Sequence, residues 1–208
     1  MYAGTVGYAM GVATIPQAAE ALRDHPGMEF AVAGGGTHLE ALKQEARQRK
    51  LANLRVLPLQ PRENLAEMLA AADVLLVCLR RETTDNPNGY FRAVVPHKLL
   101  TCMAAGRPIL ASAEPEGDLA RLIQISDCGL VAAAEDAEAL ARAVLRMEAG
   151  EAKRREWGEN ARRFVVRYFS SETQLPLLEG VLCALAEGRA VAPATGWNAD
   201  PVTSWKGM

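Results

Sequence analysis

The strongest constraint on this chain is an alternation, some six times over, of short aliphatic runs with helical patterns, before a stretch that is helical only. The β-rich runs stand at residues 2–6, 29–33, 54–57, 74–79, 108–111 and 129–132. Between them, residues 14–23 place Ile15, Ala18, Ala19 and Leu22 on one stripe, and residues 38–48 do the same with Leu39, Leu42 and Ala46. The spacing repeats at 65–72, 98–105, 119–126 and 137–147. Several of the strand-like runs are apolar on both faces rather than alternating, which is what a sheet covered by helices on both sides requires. The expectation is an α/β fold, a Rossmann-like doubly wound parallel sheet of about six strands. A helical annex should follow at 151–169 and 171–187, its second helix capped by Ser170 or Ser171. The organisation expected is one domain over 1–187 and a tail over 188–208.

Composition narrows the function classes. The chain of 208 residues has 23 Lys+Arg against 25 Asp+Glu, a formal charge of −2 that offers no global attraction for nucleic acid. Half of the residues are hydrophobic but only 5% aromatic, so the core must be aliphatic. Cys78, Cys102, Cys128 and Cys183 lack CxxC spacing and sit among apolar neighbours, which predicts buried free thiols in a reducing compartment. His25, His38 and His97 are scattered, so no metal site is expected. The run 65–79 is broken by Glu67 and Asp73 and is too short to span a bilayer. The first twenty residues lack a basic stretch and carry three glycines and Pro16, unlike a signal peptide. A cytoplasmic protein is expected.

Open parallel sheets bind ligands beyond the carboxyl ends of their strands, so the loops there carry the functional information. Gly4, Gly7 and Gly11 follow the first strand, but the spacing is not GxGxxG and no acidic residue ends the second strand, against a dehydrogenase-type dinucleotide site. After that strand come Gly34-Gly35-Gly36-Thr37, with Thr37 expected to cap the next helix and Glu40 to complete a capping box. The long polar connection 80–92 contains Asp85-Asn86-Pro87-Asn88-Gly89-Tyr90. Pro96 then opens a helix, as its missing N–H allows. Lys98 in that first turn opposes the helix dipole unless an anion lies between them, which marks it for phosphate binding. His97 either donates to the same phosphate or packs. Arg154, Arg155, Arg162, Arg163 and Arg167 alternate with Glu151, Glu156 and Glu159, which reads as a solvated, salt-bridged helix face, with a weaker reading of membrane-surface contact.

Taken in order, these loops resemble the carboxyl-terminal, donor-binding domain of the retaining GT-B glycosyltransferases (group 1, family 4). The matching pieces are Tyr2-Ala3-Gly4 with Gly11, Val32-Ala33-Gly34-Gly35-Gly36, Ala71-Ala72-Asp73, Met103-Ala104-Ala105-Gly106-Arg107-Pro108, Cys128-Gly129-Leu130-Val131 and Gly158-Glu159-Asn160-Ala161-Arg162 ahead of Phe169-Ser170. Val94-Val95-Pro96-His97-Lys98 looks most like the bacterial subgroup that builds cell-surface polysaccharides and O-antigens. The resemblance implies one half of a GT-B fold that transfers a sugar from a nucleotide diphosphate sugar, with retention and without a further cofactor. It places the diphosphate at Gly7, Val95, His97 and Lys98 and the nucleoside at Pro58, Leu59, Gln60 and Thr101.

The departures are equally specific. Two basic residues that many members carry in the first loop fall here on Thr5 and Met10, and two glutamates fall on Ala93 and Thr101. No catalytic carboxylate is assigned. The resemblance also implies an amino-terminal acceptor-binding domain, missing here or supplied by a partner chain. Expected partners are the nucleotide-sugar donor, that acceptor half and a peripheral contact with the inner membrane face, where a lipid-linked acceptor would lie. Trp197 and Trp205 are candidate docking anchors in the tail. The competing reading is a non-catalytic donor-binding subunit that works with a separate acceptor chain. A sugar-nucleotide epimerase is disfavoured by the scarcity of carboxylates and histidines.

Overall fold

The computed structural model describes residues 1–83 and 90–190, so Asp85 to Gly89 and the tail with Trp197 and Trp205 lie outside the described residues. The strands are β1 (Tyr2–Ala3), β2 (Phe30–Ala33), β3 (Leu54–Leu57), β4 (Leu75–Cys78), β5 (Ile109–Ala113) and β6 (Gly129–Ala133). The helices are α1 (Thr14–Ala21), α2 (Leu39–Gln48), α3 (Leu65–Ala70), α4 (His97–Ala104), α5 (Asp118–Ile125), α6 (Ala137–Glu148), α7 (Glu151–Phe169) and α8 (Ser171–Ala186). All strand pairs are parallel, in the order β3-β2-β1-β4-β5-β6. The doubly wound sheet expected from the alternation is therefore present.

Strand order reverses between β1 and β4, which are joined through Tyr2 opposite Leu76. The helices on either side of such a reversal leave opposite faces, and the gap at the carboxyl ends becomes a cleft. Inside, Val32, Leu76 and Leu110 are buried, as are Ile15, Ala18 and Ala19 of the predicted α1 stripe. These join Leu42 and Leu140 in one aliphatic cluster. At about 25 cal/mol per Å² of apolar surface, this burial is the main force holding helices to sheet.

Three local expectations are corrected. First, β1 ends at Ala3 rather than running to residue 6, because Gly4 turns the chain at φ 134°. Second, α2 begins at Leu39 without a side-chain cap, so Thr37 and Glu40 form no capping box. The preceding turn is tied to the first loop instead: Val6 N–H donates to Gly35 O at 2.8 Å and His38 N–H to Val6 O at 3.0 Å. Glu40 pairs with Lys43 at 2.7 Å. Third, the arginines of α7 do more than face solvent. Arg154 donates to the carbonyls of Met147 and Glu148 at 2.5 Å each, and Arg162 to that of Ala104 at 2.5 Å. They cap the ends of α6 and α4, where carbonyls lack helical partners and the dipole favours a cation.

The chain divides into two compact units, Met1–Arg162 and Arg163–Met208. The first holds the sheet and α1–α6. The second holds the end of α7 and α8, whose Ser170 cap accepts from the Thr173 N–H at 3.3 Å. Along α8, Leu175, Leu177, Leu178, Leu182 and Leu185 are exposed. Cys183 is exposed too, against the expectation of burial, because its apolar neighbours are themselves uncovered. Cys78, Cys102 and Cys128 are buried as expected. No described helix is long and apolar enough to cross a membrane.

Candidate functional site

The carboxyl ends of β1 and β4 open into a cleft of about 760 Å³. One wall is the first loop with Gly4, Thr5 and Met10, and another is the loop after β3 with Leu59 and Gln60; α4 supplies His97, Lys98 and Thr101. Glycine is demanded where the first loop meets the turn after β2. A Cβ on Gly34 would stand 1.9 Å from the Gly4 carbonyl oxygen, and one on Gly36 would stand 2.4 Å from that of Val6. Both distances are below any real contact, so the first loop and the turn after β2 pack backbone against backbone.

The helix bordering the cleft starts at Pro96 without a side-chain cap. Its dipole and the amides of His97 and Lys98 are thus available to an anion, while the Leu99 N–H donates to Pro96 O at 2.9 Å. Lys98 stands in that turn. Its ammonium donates to the Tyr2 hydroxyl and lies 4.1 Å from the Tyr2 ring centroid. The hydroxyl in turn donates to the Thr5 carbonyl at 2.5 Å. A Cβ on Gly4 would come within 2.9 Å of Lys98 Nζ, so glycine also makes room for the cation.

Burial lowers the Lys98 pKa from its ordinary value, and burial likewise raises that of the Tyr2 phenol. The neighbouring thiols are pushed up by burial as well, Cys78 to about 12 and Cys102 to about 11. They stay protonated near neutrality and are not nucleophiles. The charge available in this part of the cleft is therefore the ammonium, and the chemistry it suits is stabilisation of an anionic group rather than covalent catalysis. Among the described residues, no three His, Cys, Asp or Glu side chains are grouped to hold a metal ion.

The structure brings Leu59, Gln60, His97, Lys98 and Thr101 into this cleft together. Thr101 follows Lys98 by three residues and so shares its helix face. The Gln60 side chain is turned back on its own loop, donating to Pro58 O at 2.9 Å. Pro58 and Val95 are exposed and do not line the cleft. Gly7 lines an adjoining hollow of about 270 Å³ that shares Met10 with the main cleft. There Arg80 stacks on Tyr8, 4.3 Å from the ring centroid, and pairs with Glu135 at 3.3 Å. Arg62 also borders the main cleft, two residues beyond Gln60 in the loop already singled out, so its position was within reach of the sequence. Tyr2 and Arg80 were not, since each acts across strands that are distant in the chain.

Comparison with known proteins agrees with this architecture. Residues 1–164 match the family model for glycosyl transferases group 1. WcaI of Escherichia coli K12, named as a colanic acid biosynthesis glycosyl transferase, is 33% identical over 124 residues, 60% of this chain and 28% of WcaI. WbjE of Pseudomonas aeruginosa, named as a glycosyltransferase, is 32% identical over 141 residues, 68% of this chain and 33% of WbjE. The chain thus spans about a third of the length of these curated relatives. Among solved structures, Anabaena HepE in complex with UDP superposes with a TM-score of 0.71 at 14% identity, over 88% of this chain and 48% of HepE. At that identity the likeness is one of fold.

Proposed function

The chain belongs to the group 1 glycosyl transferase family, and from that premise we propose that it is the donor-binding half of a bacterial polysaccharide glycosyltransferase. It holds a nucleotide diphosphate sugar in the cleft at the ends of β1 and β4. The sugar passes, with retention, to a glycan or lipid-linked acceptor bound by a further domain or chain at the cytoplasmic face of the inner membrane. The observation that carries this reading is the meeting of Lys98, the uncapped start of α4 and the closely packed loops at Gly4 and Gly34 at one point of the sheet. A diphosphate there finds the Lys98 cation and the backbone amides at the start of α4.

In this reading the amides of His97 and Lys98, with the Lys98 ammonium, take the diphosphate, and His97 donates from the cleft rim. Leu59 and Gln60 lie against the base, and Thr101 hydrogen-bonds the ribose. Gly7 and Val95 flank the cleft without lining it, and Pro58 shapes the base loop by accepting from Gln60. As the bond to the anomeric carbon breaks, negative charge grows on the leaving diphosphate, and fixed positive groups stabilise that stage more than the ground state. The UDP found in HepE supports a uridine nucleotide as the first probe. Thermal unfolding with UDP, GDP and ADP tests the reading. A ligand at 100 times its Kd adds about 2.7 kcal/mol of stability, which moves the midpoint by several degrees. A midpoint unchanged by millimolar concentrations of all three would count against it.

A further inference from the structure

We propose that Tyr2 is a positioning residue of the donor site: its hydroxyl, anchored on the Thr5 carbonyl, holds the Lys98 ammonium beside Gly4 in the cleft, ready for a diphosphate. The proposal rests on the donor-site reading and adds a residue to it. Tyr2 is completely buried on a strand of two residues, flanked by β2 and β4. An aliphatic side chain would satisfy such a position without needing any hydrogen bond. A buried phenol needs one, and this one has two.

Direction matters here. Because the hydroxyl donates to Thr5 O at 2.5 Å, its oxygen is left as an acceptor toward Lys98. A free lysine side chain has four rotatable bonds and loses rotamer entropy when fixed. The phenol imposes that order before ligand arrives, and it uses one of three ammonium protons, leaving two for phosphate oxygens. Gly4 removes the Cβ that would otherwise occupy the space around Nζ. The same hydrogen-bond chain links the start of α4 to the first loop, so the two walls of the cleft share one anchor.

The 208-residue chain labelled at lysine provides the test, with Tyr2→Phe as the variant and Lys98→Met to identify the signal. The groups facing the ammonium are Tyr2 from β1, Cys78 from β4 and Cys102 from α4, and the thiols stay neutral through the range used. Losing the hydroxyl removes an acceptor for the charged form, so Lys98 should titrate at lower pH in Tyr2→Phe. UDP affinity at pH 7.5 should fall about 10-fold, the loss expected for a misplaced charged hydrogen bond. It should also fall earlier on the alkaline side. The ratio of variant to parent affinity cancels titration of the nucleotide itself.

A purely structural tyrosine would lower the unfolding midpoint and leave both titrations where they were, and that result overturns the proposal. So does unchanged UDP affinity in a variant whose parent binds UDP. A parent that binds none of UDP, GDP and ADP refutes the donor-site reading instead. The lysine titration then still reports whether hydroxyl and ammonium are coupled.

Discussion

Lys98 is costly where it stands. Its ammonium is partly withdrawn from water at the positive end of a helix dipole, and burial holds its pKa below the ordinary lysine range. Below that ordinary value the unfolded chain keeps the proton more firmly than the folded one. Folding stability should therefore rise with pH through the window between the lowered folded value and the ordinary one. It follows that Lys98→Met should raise the thermal midpoint near neutrality, while Lys98→Ala should weaken nucleoside diphosphate binding by roughly 1.5–3 kcal/mol. Calorimetry and thermal unfolding on the two variants read these separately. Unchanged affinity would remove Lys98 from the site. Thr101→Ala should weaken binding less, by about 1 kcal/mol, and a larger loss would make Thr101 the principal ribose anchor. Lys98 was legible in the sequence because a cation in a first helical turn breaks a local rule. Tyr2 was not, because its partnership with Lys98 exists only once β1 and β4 are neighbours.

Between elements, glycines and arginines set the spacing. Gly158 of α7 lies so close to the end of α4 that an added Cβ would stand 2.3 Å from the Gly106 carbonyl oxygen. Gly158→Ala should accordingly destabilise the chain by about 1–3 kcal/mol, as overpacking against rigid backbone does, and urea unfolding would show it as a lower midpoint at unchanged slope. An alanine accommodated without loss would mean that α7 is free to shift. Arg162→Ala removes the cap on Ala104 O and should cost about 0.5–1 kcal/mol, an effect reduced by salt if the dipole contributes. The order and spacing of elements were readable from periodicity alone, since buried stripes such as Ile15, Ala18 and Ala19 must face the sheet. The α2 start was not. Thr37 and Glu40 fit a capping box locally, but contacts with Val6 from a different loop decided where the helix begins. The same holds for the α7 arginines, whose partners are helix ends distant in sequence.

At the scale of the whole molecule, the sheet order β3-β2-β1-β4-β5-β6 fixes a single reversal, and the cleft at that reversal gathers residues from positions 3 to 102. A donor alone does not make a transferase, however. An acceptor must be held opposite the anomeric carbon, and the curated relatives are about three times as long as the part matched here. On the proposed reading the isolated chain should bind donor and release no free nucleoside diphosphate beyond background when given a nucleotide sugar and acceptor lipids. Turnover by the 208 residues alone would show that they contain a complete active site. The central claim, that this cleft is a nucleotide diphosphate site, is tested most directly by calorimetric titration of the folded chain with UDP and GDP. The account predicts saturable binding at one site, with a preference for one base and a loss of affinity in Lys98→Ala. Absence of binding to either nucleotide, in a chain shown to be folded by its unfolding transition, would contradict it.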